Sequence, residues 1–454
     1  MFEANIALFV LGMLLVFVFS GIHIAVVLGI TSAIGVYMVT GNYKVVEALV
    51  QNTYYDAIRD YVFAVIPLFM LMGEFVGRSG MTSDLYRALQ RSFSRVPGRL
   101  ALATLLGNAI FAFVTGVSIA SAAAFTRIAY PEMVRHNYDK GYALGSIAGS
   151  GVLGMLIPPS VLMIIWGILT EQSIGDLFLA GVIPGFLLVT LFAIYIIGMA
   201  LLRPELAGAG PADARAAGAD VARAPVADGD DGYDSGSTIM SAVGLIVLVG
   251  TVLGGMWGGL FTPTEAAGMG ALMALVLALL KGVPLSSIYQ GILQVGRTAA
   301  PILALLLAAA LYSRTLTMTG VVSAIQDFFA GAGLDNWEII LVMTIVWFVL
   351  GMIIDSASIM LLTVPIFWPI ALTIGIDPIA FALIGILTIE AGILTPPFGL
   401  LVYTVKAAVP RDDPVSLLAI FGGSTPYWFM ILILIVAIYL IPEIASYLPN
   451  TVLR

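Results

Sequence analysis

Apolar residues come in long blocks along this chain, and polar residues gather in the short joints between them. In the first half the blocks fall at 5–20, 22–40, 61–79, 101–134, 141–171 and 177–202; in the second they fall at 239–259, 263–280, 299–318, 338–374, 379–410 and 426–446. About 20 apolar residues in a helix span a bilayer, so each uninterrupted block predicts one crossing. Amphipathic stretches near 82–95 and 284–297 predict helices lying along the membrane surface. One stretch breaks the pattern for long. Residues 203–237 are rich in Ala, Gly, Pro and Asp, with three Arg against seven acidic residues, and read as a disordered linker between two hydrophobic halves.

Four blocks are interrupted, and the interruptions recur. Gly154-Met155-Leu156-Ile157-Pro158-Pro159 has a counterpart in Gly392-Ile393-Leu394-Thr395-Pro396-Pro397, and the same offset carries Asp139 onto Asp377 and Pro131 onto Pro369. The spacing predicts an internal duplication: repeat 1 over 1–202, the linker over 203–237, repeat 2 over 238–454. In 101–134 the break is the small polar run from Thr115 to Ser121, and basic residues flank the block at both ends, which describes a re-entrant hairpin of two half-length arms. The block 338–374 matches it, with its tip at Asp355-Ser356-Ala357-Ser358. The blocks 141–171 and 379–410 are crossings broken at the two Pro-Pro pairs.

Composition then sets the class. The chain is 60% hydrophobic and 10% charged, far outside the usual range for a soluble domain, so the expected fold is an all-α polytopic membrane protein. The net charge of −8 with no dense basic tract excludes a nucleic-acid partner. The absence of cysteine removes disulfides, zinc–thiolate sites, iron–sulfur clusters and cysteine nucleophiles, and two histidines leave little for haem or a multi-histidine metal centre. Residues Met1-Phe2-Glu3 carry no basic n-region, so the first block reads as a retained helix. Basic residues in short loops stay on the cytoplasmic side. With Arg87, Arg91, Arg95 and Arg99 inside, both termini fall outside, the linker falls inside, and the two repeats run with inverted topology.

Non-helical backbone at membrane depth persists only where protein buries it or a polar cavity borders it, and inverted repeats with broken helices mark ion-coupled transporters. The candidate ion- and substrate-binding residues are therefore those at the breaks: Gly116, Ser118, Ser121, Pro158, Pro159, Asp355, Ser356, Ser358, Glu390, Thr395, Pro396 and Pro397. Asp355 reads either as a cation ligand or as a helix cap. Ser118, Ser358 and Thr395 add hard hydroxyl oxygens of the kind sodium takes, although Ser118 and Ser121 need no role beyond close packing. Glu390 is either an ion ligand or a structural carboxylate; Arg314 is its possible buried charge partner, or a counter-charge for an anionic substrate. Thr262-Pro263-Thr264-Glu265 reads as a capping box, Asp377-Pro378 as an N-cap with first-turn proline, and His23 and His136 as ordinary packing or surface residues.

The run Gly116–Ala124, Leu156-Ile157-Pro158-Pro159-Ser160 followed by Ser173–Gly181, Phe261–Ala267, Gly375–Pro378 and Glu390–Gly399 together resemble the large membrane subunit of tripartite ATP-independent periplasmic (TRAP) transporters. The resemblance spans nearly the whole chain. It implies a sodium-coupled importer of small organic acids, such as a C4-dicarboxylate or sialic acid, working by an elevator mechanism in a bacterial inner membrane. It also implies two partners, a small four-helix membrane subunit and a periplasmic substrate-binding protein, with Na+ as coupling ion and no other cofactor. The first hairpin departs from the family's frequent Gly-Ser-Ser tip with its acidic residue, having Ala120-Ser121-Ala122-Ala123. A stand-alone carboxylate permease of the same fold is the nearer alternative. An intramembrane protease is the remote one, because Asp355 and Glu390 are two membrane carboxylates but lack the flanking motifs of such enzymes.

Overall fold

The structure, a computed structural model, describes residues 2–208 and 235–452. Those residues are helical almost throughout, and eight of their helices are long and apolar enough to cross a membrane. The first half runs Phe2–Phe19, Ile24–Thr40, Tyr43–Arg59, Val65–Arg78 and Met81–Ser92, then a hairpin of arms Arg99–Thr115 and Ser118–Arg135. A broken helix follows as Lys140–Gly151, Leu153–Leu156 and Val161–Thr170, and Ile174–Leu202 ends the half. The second half runs Ser235–Val249, a π turn at Gly250–Gly254, Gly255–Trp257, Pro263–Leu280, Leu285–Thr319 and Val321–Ala332. Its hairpin arms are Asn336–Gly351 and Ser356–Thr373, its broken helix is Pro378–Gly392 with Leu400–Ala408, and Leu417–Leu440 and Glu443–Val452 close it.

Local chemistry accounts for most of these boundaries. Asp139 accepts from the Tyr142 backbone N–H at 2.8 Å, and Asp377 accepts from Ile379 and Ala380 at 2.9 and 2.8 Å, so the two broken helices open on the same device. Thr262 and Glu265 close the expected capping box ahead of Pro263–Leu280. Both Pro-Pro bonds, Pro158–Pro159 and Pro396–Pro397, are cis.

Several boundaries differ from the sequence expectation. The surface helix expected at 284–297 and the crossing at 299–318 are one helix, Leu285–Thr319, of 35 residues; Gly296 costs such a helix only about 1 kcal/mol, and Pro301 is carried inside it. At 1.5 Å per residue it is about 52 Å long, so it reaches well beyond the ~30 Å hydrocarbon layer. The block 426–446 is helix Leu417–Leu440 followed by a separate helix from Glu443. Tyr43–Arg59 is an additional amphipathic helix, capped by Asn42. The linker is shorter at both ends: Ser235 already begins a helix, while Pro204–Leu206 turns back on the first hairpin through the Asp139 N–H donating to the Leu206 carbonyl at 3.1 Å. Residues 209–234, the body of the expected linker, lie outside the described residues.

The halves interlock. Val65–Arg78 packs on Pro263–Leu280, and Ile24–Thr40 packs on Leu285–Thr319. Val161–Thr170 packs on the second hairpin arm Ser356–Thr373, and Leu400–Ala408 packs on the first hairpin arm Ser118–Arg135. Within each pair of contacts, exchanging the halves turns one contact into the other. Trp166 of the first broken helix, Trp347 of the second hairpin and Phe381 of the second broken helix meet with ring centroids 5.3–6.0 Å apart. Such aromatic contacts add about 0.5–1.5 kcal/mol each beyond burial and join the second hairpin to both broken helices.

Two polar clasps join segments remote in sequence. Lys281 pairs with the Asp84 carboxylate and donates to Ser241 Oγ at 2.6 Å. In the loop after the second broken helix, Lys140 pairs with Asp413, whose other oxygen accepts from the Tyr130 hydroxyl at 2.7 Å. The Lys140 ammonium, with the Tyr130 hydroxyl second, holds the Asp413 carboxyl below the usual carboxylate range. A carboxyl with a lowered folded pKa contributes stability above its unfolded pKa of about 3.9 and loses it as pH falls through the folded value. Asp413→Asn should therefore lower the unfolding temperature in nanodiscs at pH 7. The gap from wild type should narrow as pH falls below the unfolded value and close once the folded-state carboxyl is protonated; a gap that persists there would assign the effect to packing.

Candidate functional site

The first helical residues of the two second arms, Ser118 and Ser356, come to the same place. Ser356 Oγ donates to Glu390 Oε1 at 2.8 Å, and Ser118 approaches the same carboxylate without closing a hydrogen bond. Ser118, Ser356 and Glu390 are buried, and Ser118 Oγ and Glu390 Oε2 have no hydrogen-bond partner. A buried polar atom left unpaired costs about 1–3 kcal/mol, and here two such atoms belong to groups that face each other.

Above this point lies a cavity of about 670 Å³ lined by both tips, including Ser118, Asp355, Ser356 and Ser358, and by scaffold residues such as His23 and Thr298. Asp355 caps the second arm, its Oδ1 accepting from the Ser358 backbone N–H at 3.0 Å. Cap and cavity wall are therefore both true of it. Two helix N-termini point at the cavity, each presenting free N–H groups and the positive end of its dipole.

The tips are seated differently. Gly116, at φ +60°, closes the turn of the first hairpin; a Cβ there would stand 2.4 Å from the Pro159 carbonyl oxygen, and its own carbonyl accepts from Val161 N–H at 3.1 Å. The first tip thus sits on the first break, and Pro158 and Pro159 are buried. Pro396 and Pro397, by contrast, are exposed.

The remaining expected residues fall elsewhere. Ser121 donates to Asn108 Oδ1 at 2.8 Å within the first hairpin and lies outside the cavity lining, and the Asn108 amide donates to Ser150 Oγ at 2.7 Å, tying that hairpin to the first broken helix. Thr395 turns its hydroxyl onto the Gly392 carbonyl at 2.7 Å, where the freed end of its own helix offers the nearest acceptor. Arg314 is not the partner of Glu390: it donates to Thr53 Oγ1 at 3.0 Å and pairs with Asp56 at 3.2 Å, half exposed against the Tyr43–Arg59 helix. Asn108 lies away from the breaks, although a lone amide in the middle of an apolar arm is a readable signal.

The profile of the family described as "Tripartite ATP-independent periplasmic transporter, DctM component" matches residues 11–444. The C4-dicarboxylate TRAP transporter large permease protein DctM of Pseudomonas aeruginosa is 30% identical over 400 residues, which cover 87% of this chain and 88% of that protein. The ectoine TRAP transporter large permease protein TeaC of Halomonas elongata is 27% identical, covering 96% of each chain. In fold, the chain is similar to the crystal structure of the YdaH transporter of Alcanivorax borkumensis, with a TM-score of 0.61, 13% identity and 88% of each chain covered. With a family profile spanning all but the chain's ends, this multi-pass membrane protein belongs to the DctM component family of tripartite ATP-independent periplasmic transporters.

Proposed function

We propose that this chain is the translocating subunit of a sodium-driven importer for a small organic acid in a bacterial inner membrane. The observation that carries the reading is the meeting of both hairpin tips at one buried carboxylate, Glu390, beneath a shared cavity. Asp355, Ser118, Ser356, Ser358 and Glu390 are hard oxygen donors suited to sodium. The cavity volume lies within the range of small-molecule sites, and the two helix N-termini suit a carboxylate. Sodium bound at the tips orders the surface that substrate touches, which gives the two ligands a shared preference for one state and hence coupling.

In this reading the two halves have inverted topology with both termini periplasmic, and the hairpins enter from opposite faces. The block of hairpins and broken helices moves against a scaffold that includes Val65–Arg78, Pro263–Leu280 and Leu285–Thr319. A small four-helix membrane subunit and a periplasmic substrate-binding protein complete the assembly, and that binding protein selects the substrate. The test is uptake of labelled succinate and N-acetylneuraminate into liposomes holding the three components. Accumulation should require an inward sodium gradient and the binding protein. Full-rate uptake by the large subunit alone would overturn the tripartite reading in favour of a stand-alone permease.

A further inference from the structure

A second cavity, about 430 Å³, lies behind the first, and Met70, Val117 and Thr298 line both. Its charged lining residues are Glu74, Arg78 and Arg127. Two of these satisfy each other: Arg78 Nε donates to Glu74 Oε1 at 2.6 Å, and Arg78 Nη1 reaches Ser287 Oγ at 3.2 Å. Arg127 is exposed and has no hydrogen bond or ion pair among the described residues. It stands midway along the hairpin arm Ser118–Arg135, roughly 12 Å from either end at 1.5 Å per residue. A guanidinium is costly to place in hydrocarbon unless water or a partner receives it. Across the cavity, on the Leu285–Thr319 helix, the exposed Gln294 side-chain amide also has no hydrogen bond among the described residues. The first cavity has neither lysine nor arginine in its lining.

We propose that the second cavity is an anion site in which the Arg127 guanidinium binds the carboxylate of a small organic acid, with the Gln294 amide as a second donor from the opposite wall. The planar fork of Arg127 matches a carboxylate through two parallel hydrogen bonds. Because the hairpin carries Arg127 and the long helix carries Gln294, a bound acid bridges the two. The shared wall of Met70, Val117 and Thr298 makes this the compartment that substrate enters or leaves next to the tip site. The assignment deepens the transport reading and rests on it for the identity of the anion.

The chain contains no cysteine, so Ala124→Cys, one turn before Arg127 in the cavity wall, provides a single reporter in the full chain in liposomes. Its reaction rates with a sulfonate-bearing and a trimethylammonium-bearing thiosulfonate are compared. The anionic reagent should be favoured, and Arg127→Gln in the same background should reduce the rate ratio about fivefold. Ala357→Cys in the first cavity should keep its ratio when Arg127 is changed, which also verifies that the variant is folded. Succinate should slow labelling of Ala124→Cys and lose that effect with Arg127→Gln. An unchanged ratio, or protection that appears only when phosphatidylglycerol is added to phosphatidylcholine vesicles, overturns the proposal, the latter by identifying a lipid headgroup as the ligand. Neither readout needs transport. Protection without sodium-driven uptake would sink the function proposed above and leave the anion site, and uptake without protection would do the reverse.

Discussion

Asp355→Asn should leave the fold almost untouched and cut sodium-driven uptake about tenfold or more, with a matching rise in the sodium concentration for half-maximal rate. The two halves of that expectation come from the two oxygens of one side chain. Oδ1 caps the second hairpin arm by accepting from Ser358 N–H, and asparagine caps as well as aspartate, so stability should change by only a few tenths of a kcal/mol. Oδ2 has no bond within the described residues and belongs to a group lining the cavity. Replacing it with an amide removes the charge at constant size; a tenfold loss of ion affinity is about 1.4 kcal/mol, a modest demand for a charge in direct contact with a cation. Uptake and thermal unfolding measured together check it. Wild-type sodium dependence at wild-type stability would reduce Asp355 to a cap.

Gly116→Val should abolish uptake while much of the chain still folds. At φ +60° a β-branched residue carries backbone strain of about 1–3 kcal/mol, and its Cβ would collide with the Pro159 carbonyl oxygen, 2.4 Å away. That carbonyl cannot easily retreat, because Ser160 next to it donates to the Met155 carbonyl at 2.5 Å and accepts from Met163 N–H. The tip must lift instead, moving Ser118 away from Glu390. Gly375→Ala is the control: its φ of +73° imposes the strain, but nothing lies within 4 Å of the added carbon. Uptake should survive Gly375→Ala and fall to background for Gly116→Val. Equal uptake by both would mean that the seating of the first tip on its break does not serve transport.

Much of this fold is legible before any coordinates, for a physical reason. A membrane helix must be apolar along about 20 residues and satisfy its own backbone, so crossings, caps and breaks are local properties. Asp139 and Asp377 announce helix starts, Thr262 with Glu265 announces another, and the Pro-Pro pairs announce the breaks. Where the local signal is weak the reading slips. Gly296 and Pro301 are the local signals of a boundary between the surface segment and the crossing, and the helix runs through both.

By itself the sequence determined the class, most of the apolar crossings and the residues at the breaks, because hydrophobic length and capping chemistry act over a few turns. It offered Arg314 to Glu390, since each was a charge in an apolar helix, and it could not choose between ion ligand and structural group. Tertiary structure decided the pairing. Glu390 meets Ser356 across 34 residues and faces Ser118 from the other half, while Arg314 goes to Asp56 and Thr53. Which hydroxyls are consumed by near neighbours, as for Ser121 in its own hairpin and Thr395 at the end of its own helix, and which face a cavity, as for Ser118 and Ser358, depends on how four broken elements dock. That docking comes from long-range contacts such as Gly116 on Pro159 and Trp166 on Trp347. No window of sequence contains both members of such a contact, so only the assembled fold fixes which polar atoms are left without partners.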